Sequence, residues 1–159
     1  MNSDYQKLLR WSESNKKKLT KGEDLLKRQK RPDSIMQELH ATAFESIDCL
    51  ECANCCKTTG PMLTPQDVER ISKAKKISET KFIDFYLKYD EDGDLVFKSM
   101  PCPFLMNDNH CEIYQIRPRA CREFPHTDQK GQINILSLTR KNAKICPAVA
   151  KIYQMLAEL

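Results

Sequence analysis

Glycine is scarce in this chain, with four in 159 residues. That leaves little material for the Gly-rich loops that cradle nucleotide phosphates, and neither a His-Glu-x2-His pair nor a nucleophile elbow is present. No apolar run approaches the roughly 20 residues that span a bilayer. The start, Met1-Asn2-Ser3-Asp4-Tyr5, has no apolar stretch of signal-peptide type. The expected compartment is therefore the cytoplasm, where thiols stay reduced. The length suits one domain, or one domain with an appended segment.

Cysteine is what the chain has in quantity. Four of its eight cysteines fall in Cys49-Leu50-Glu51-Cys52-Ala53-Asn54-Cys55-Cys56. Thiolates packed this densely repel one another unless a cation sits between them, and a soft metal ion or an iron–sulfur cluster answers that need. Cys-x2-Cys spacing aims two sulfurs from one turn at one point, and this stretch uses it twice. The other four, Cys102, Cys111, Cys121 and Cys146, are spread over the C-terminal half. In a secreted chain eight cysteines would suggest disulfides; in a cytoplasmic one they favour metal.

Three occupants compete: one [4Fe–4S] cluster, one or two four-cysteine zinc sites, or a redox dithiol system. If the backbone is extended at Cys55 and Cys56, their side chains point to opposite sides and one ion takes only one of them. If a hairpin turns near Asp108, Cys111 lies opposite Leu105 and Cys102 is about 10 Å further along the strand. Both arguments lean toward more than one metal ion. Four thiolates on Zn²⁺ leave a net charge of about −2, for which Lys57, Arg117 and Arg122 are the flanking cations. His110 and His126 lie near cysteines, and His40 lies on a helix; eight sulfurs suffice without them.

Charge is uneven. Residues 1–33 hold ten Lys/Arg against five Asp/Glu. A basic arm of this kind meets an acidic partner or nucleic acid, or is a solvated helical surface, and the absence of Arg-Gly runs favours the last. The expected fold class is α+β, mostly helical, with short helices, a small β-hairpin and a basic helical arm. The expected division is an arm over 1–33 and a cysteine-cluster domain over 34–159.

Along the chain, residues 4–31 read as helix, weak near Lys16-Lys17-Lys18 and Gly22. Ser34 is placed to cap the next helix, with Gln37 completing a capping box. Thr64 caps a third, with Pro65 at its first position and Asp67 three residues after the cap. Ser78 starts a helix that should bury Phe82, Phe85 and Tyr86. Glu91-Asp92-Gly93-Asp94 is a turn, and Leu95-Val96-Phe97 a strand. Ile133-Asn134-Ile135-Leu136 reads as a short strand. Cys146-Pro147 opens a last helix striped by Val149, Ile152, Tyr153, Leu156 and Leu159.

These motifs together resemble the YkgJ-type cysteine-cluster family of zinc- or iron-chelating domains. The pattern Cys-x2-Cys-x2-Cys-Cys falls on Cys49, Cys52, Cys55 and Cys56. Cys-Pro-Phe-Leu falls on Cys102 to Leu105, and Cys-x-Ile-Tyr-x2-Arg-Pro on Cys111 to Pro118. Cys-Arg-x-Phe-Pro falls on Cys121 to Pro125, and Leu-Thr-x2-Asp-Val-x-Arg-Ile on Leu63 to Ile71. The likeness covers roughly residues 45–150. A similar cysteine region occurs in flagellin lysine methylases, which implicates an iron–sulfur cluster. The resemblance implies metal binding, with a [4Fe–4S] cluster placed ahead of zinc. The alternatives are a cluster-dependent modification enzyme such as a protein methyltransferase, or a structural zinc module that presents the arm or the terminal helix to a protein partner.

Overall fold

A computed structural model describes residues 1–159. It is mostly helical with one two-stranded antiparallel sheet. In chain order the helices are α1 (Ser3–Ser14), α2 (Lys16–Lys27), α3 (Pro32–Phe44), α4 (Cys49–Cys52), α5 (Asn54–Thr58), α6 (Pro65–Ala74) and α7 (Glu79–Tyr86). Strands β1 (Leu87–Tyr89) and β2 (Leu95–Phe97) follow, then α8 (Arg119–Glu123), α9 (Leu136–Asn142) and α10 (Pro147–Leu156). The chain forms two compact units, one from Met1–Cys52 with Pro125–Leu159, the other from Ala53–Phe124. No helix is long and apolar enough to cross a membrane.

In the first unit α10 is the central element. Its stripe of Val149, Ile152, Tyr153 and Leu156 is buried, and α1, α2 and α3 pack on it. Leu159, expected on that stripe, lies beyond the helix end and is exposed. The basic segment 1–33 contributes Tyr5, Leu19 and Leu26 to this core, so its lysines occupy the outer face of packed helices. Asn15 breaks that segment into α1 and α2. Glu23, buried on α2, accepts hydrogen bonds from Tyr153 Oη at 2.7 Å and Arg140 Nε at 2.8 Å. A buried carboxylate needs such partners, because an unpaired one is costly.

Two local expectations are corrected here. The third helix starts at Pro32, not Ser34, and Ser34 does not cap it. Proline at the first position presets the helical φ, and Asp33 instead accepts the N–H groups of Gly131 and Gln132, both at 2.9 Å. Residues Gln132–Ile135 form a 3-10 turn leading into α9 rather than a strand. With no strand to pair with in this unit, their backbone groups are satisfied by helical bonding, and Gly131 at φ 79° begins the turn.

In the second unit Thr64 and Asp67 form the expected capping box. Ser78 caps α7 as expected, but that helix buries Phe82 and leaves Phe85 exposed. The chain leaves α7 directly into β1, which pairs with β2 in the register Leu87↔Phe97, Lys88↔Val96, Tyr89↔Leu95. Gly93, at φ 82°, sits in the connecting turn. Phe82, Phe97 and Phe104 form the aromatic centre, with Phe97 and Phe104 edge to face at 5.7 Å.

Gly22 lets α2 approach α10 closely. A Cβ there would lie 2.9 Å from Leu156 Cβ and 3.3 Å from the Ala157 backbone nitrogen. Alanine gains about 1 kcal/mol of helix propensity, but overpacking against a filled core costs about 1–3 kcal/mol. Gly22→Ala is expected to lower stability in urea unfolding; equal or higher stability would show that the two helices can separate freely.

Candidate metal centre

The Cys-x2-Cys-x2-Cys-Cys run is not one element. Asp48 Oδ1 accepts the Leu50 N–H at 2.8 Å and starts α4, which carries Cys49 and Cys52. Ala53 then takes a left-handed conformation, φ 46° and ψ 19°, which L-residues other than glycine rarely adopt. α5 follows with Cys55 and Cys56. The backbone there is helical, not extended, and the two sulfurs lie 4.0 Å apart. The premise that these neighbouring thiols point to opposite sides is therefore overturned.

Within Ala53–Phe124, Cys56 is joined by Cys102, Cys111 and Cys121 from three further segments. The Cys102 N–H donates to the Cys56 carbonyl at 2.8 Å. Leu105 and Cys111 pair as an isolated antiparallel bridge, as a turn near Asp108 requires. Cys102 is not further along a strand, however. The Leu105 N–H donates back to the Cys102 carbonyl at 3.0 Å, so the chain turns there and the hairpin is irregular. Cys121 lies in α8, its N–H donating to the Pro118 carbonyl at 3.0 Å.

These four thiols lie within range of one another's charge. Burial pushes the Cys121 thiol up to about 12, with Cys56, Cys102 and Cys111 adding to the rise and Arg117 opposing it. Burial pushes Cys102 to about 11, again with Cys56 and Cys111 contributing. Burial also raises Cys111, with Cys56 adding and Arg117 opposing. Cys56 moves the other way, to about 7, chiefly through the hydrogen bond with Cys55; burial opposes this and Lys57 assists. Lys57 and Arg117 thus act on the cysteines they flank in sequence. Arg117 also donates to the Tyr114 carbonyl at 2.6 Å and lies 3.9 Å above that ring. Arg122 shares α8 with Cys121.

A carboxylate that the sequence showed only as part of a helix cap holds this group's scaffold. Asp67 Oδ2 accepts from Thr64 N at 3.0 Å and Thr64 Oγ1 at 2.8 Å. Its Oδ1 accepts from Arg70 Nη2 at 2.5 Å and from the Arg119 N–H at 3.1 Å. Arg70 reaches on to the carbonyls of Ile116 and Arg117, at 3.3 and 3.0 Å. The start of α6 is thereby tied to the segment that delivers Cys121. The i, i+3 spacing of Asp67 and Arg70 was a readable signal of an ion pair; their reach to residues 116–119 was not.

In the first unit Cys49 is exposed and Cys52 buried. Cys146 precedes α10 and makes no side-chain cap to it. Burial pushes that thiol up to about 12; the backbone of Val149 and Ala148 opposes the rise, and Cys49 and Cys52 add to it. The three histidines are tied into their surroundings through side chain or backbone. His40 Nδ1 lies 2.8 Å from Thr127 Oγ1 and its ring tilts on Phe44 at 4.4 Å. His110 pairs with Asp108 at 3.2 Å. His126 holds a positive φ of 69°, and its carbonyl accepts from Gln132 Nε2 at 2.7 Å.

All eight cysteines are thiols rather than disulfides. No three side chains of the Cys, His, Asp and Glu type are drawn tightly enough together to grip one ion as they stand. The donor set nonetheless suits a soft metal: Cys56, Cys102, Cys111 and Cys121 are all sulfur, share one charge environment, and have two cations beside them.

The chain is thus a mostly helical, cysteine-cluster protein. The profile of the CxxCxxCC family, described as "Putative zinc- or iron-chelating domain", matches residues 48–147, and the chain belongs to that family. No curated protein and no solved structure matches it.

Asp67 is held below the usual carboxylate range. Burial alone would raise it, but the hydrogen bonds from Arg70, Thr64 and Arg119 outweigh burial. Such a group stabilises the fold fully above its unfolded value near 3.8 and loses that contribution as pH falls through its lower folded value. Asp67→Asn is expected to cost about 1–3 kcal/mol at pH 7, the worth of charge-assisted hydrogen bonds, and the gap to wild type should close in strong acid. A gap that persists unchanged at low pH would show that the charge is not what matters.

Proposed function

We propose that the protein binds zinc or iron through cysteine thiolates in the cytoplasm. Cys56, Cys102, Cys111 and Cys121 are the ligands offered by Ala53–Phe124. Cys49, Cys52 and Cys146 are offered by the other unit, and Cys55 lies beside Cys56. The observation that carries this reading is the gathering of four thiols from four chain segments into one charge environment, flanked by Lys57 and Arg117. Family membership supports the choice of metals. Metal would replace the thiol protons, relieve the repulsion between the sulfurs, and so couple binding to folding.

A [4Fe–4S] cluster is the form we place ahead, with zinc second; four thiolates serve either. Bound, the cluster would supply one-electron chemistry and zinc a closed crosslink. The chain's own residues do the rest: Asp67 and Arg70 hold the Cys121 segment, the turn at Leu105 returns Cys102 toward Cys56, and Lys57 and Arg117 offset the thiolate charge.

The deciding experiment is metal and acid-labile sulfide analysis, with a visible spectrum, on protein purified without oxygen. About four iron and four sulfide per cluster indicate [4Fe–4S]; zinc without sulfide or colour indicates the closed site. A chain carrying neither metal would sink the proposal. Cys111→Ser and Cys121→Ser should each reduce bound metal. Stripping metal with a chelator should lower stability by about 3–4 kcal/mol or more, as expected when ligand is present at hundreds of times its dissociation constant. Wild-type metal content and melting in both variants would remove Cys111 and Cys121 from the ligand set.

A further inference from the structure

α4 is a single helical turn, and a turn of that length does not hold itself. Besides the Asp48 cap, it is held from the start of the chain, outside the residues that match the family. Asn2 caps α1, its Oδ1 accepting the Tyr5 N–H at 3.0 Å. Tyr5, buried in the same core as Ile47 and Cys52, extends its phenol to the cysteine turn. The Asp48 N–H donates to Tyr5 Oη at 2.8 Å, and Tyr5 Oη in turn donates to Glu51 Oε2 at 3.4 Å. Asn2 Nδ2 donates to the same carboxylate oxygen at 3.2 Å. Met1 Sδ lies 3.9 Å from Cys52 Sγ. The Asp48 N–H is thus held by Tyr5, and the Glu51 side chain by Tyr5 and Asn2.

We infer that Tyr5 is a positioning residue for the first cysteine pair: its phenol oxygen sets the orientation of the turn that presents Cys49 and Cys52. The role of that presentation in metal binding rests on the function proposed above. The geometric part stands without it. A phenol is suited to the task because its oxygen both accepts and donates. The ring anchors that oxygen in the core, so the turn is held against a rigid element rather than by its own short ladder.

The test uses the full-length chain in two forms. In metal-free protein, the alkylation rate of each cysteine by iodoacetamide is followed by mass spectrometry. Tyr5→Phe keeps the ring and removes the oxygen. It is expected to speed labelling of buried Cys52 about fivefold, roughly the worth of one hydrogen bond, to change exposed Cys49 less, and to leave Cys111 and Cys121 unchanged. Glu51→Gln keeps the side-chain shape and should move Cys52 in the same direction. Tyr153→Phe is the control for general loosening, since it removes a bond to Glu23 in the same unit. An unchanged rate at Cys52 in Tyr5→Phe, or an equal rise in Tyr153→Phe, overturns the inference.

In zinc-loaded protein, Tyr5→Phe should add a fast phase to zinc release into a chromogenic chelator, with the remaining release as in wild type. Release identical to wild type counts against the inference. A wild-type chain that takes up neither zinc nor iron overturns the metal reading instead, and the alkylation rates still decide the role of Tyr5.

Discussion

A buried carboxylate is tolerated only when its oxygens are met by donors, and Asp67 meets that condition by drawing together parts of Ala53–Phe124 that are distant in sequence. Its partners are the cap of α6, the guanidinium of Arg70 and the N–H of Arg119. Arg70 extends the tie to the carbonyls before Pro118. The turn at Ile116–Arg119 is consequently fixed from two sides, and the position of Cys121 follows from it. Without this network a five-residue helix such as α8 would have little to place it, because so short a helix gains almost nothing from its own hydrogen bonds.

The cysteines pose the opposite problem. As neutral thiols they behave as small apolar groups and accept burial. As thiolates they would repel one another in a medium that screens poorly. Burial raises Cys102, Cys111 and Cys121 and so favours the neutral form, while Cys55 and Lys57 favour the charged form of Cys56. The four thiols are thus pushed in opposite directions by their surroundings, and this is the conflict that the proposed divalent cation would resolve.

Much of this was legible in the sequence, and the failures have physical causes. The capping box at Thr64, the cap at Ser78, the proline in the first turn at Pro147, the strand Leu95–Phe97 and the pairing of Leu105 with Cys111 are all local, and local chemistry decides them. Ser34 failed as a cap because Pro32 starts the helix earlier and Asp33 turns to Gly131. Residues 133–136 failed as a strand because a strand needs a partner, which the sequence does not reveal. The cysteine run gave no sign of where it divides. Ala53 adopts a left-handed conformation between Cys52 and Cys55, and the thiols on either side fall in different compact units. Tyr5 carried no signal, since an apolar-face tyrosine in a basic helix looks like any other core residue.

The order in which the residues occur has a kinetic consequence. Ala53–Phe124 is continuous, whereas the unit that encloses it in sequence is made of two separated pieces. During synthesis, at about 5–20 residues per second, every residue of the continuous unit is made before α9 and α10. The helices α1 to α3 must meanwhile wait with their apolar faces uncovered, because the element they pack on, α10, emerges last. The nascent chain therefore spends several seconds with α1 to α3 exposed to chaperones, so ribosome-bound intermediates of this protein should be recognised through the N-terminal helices.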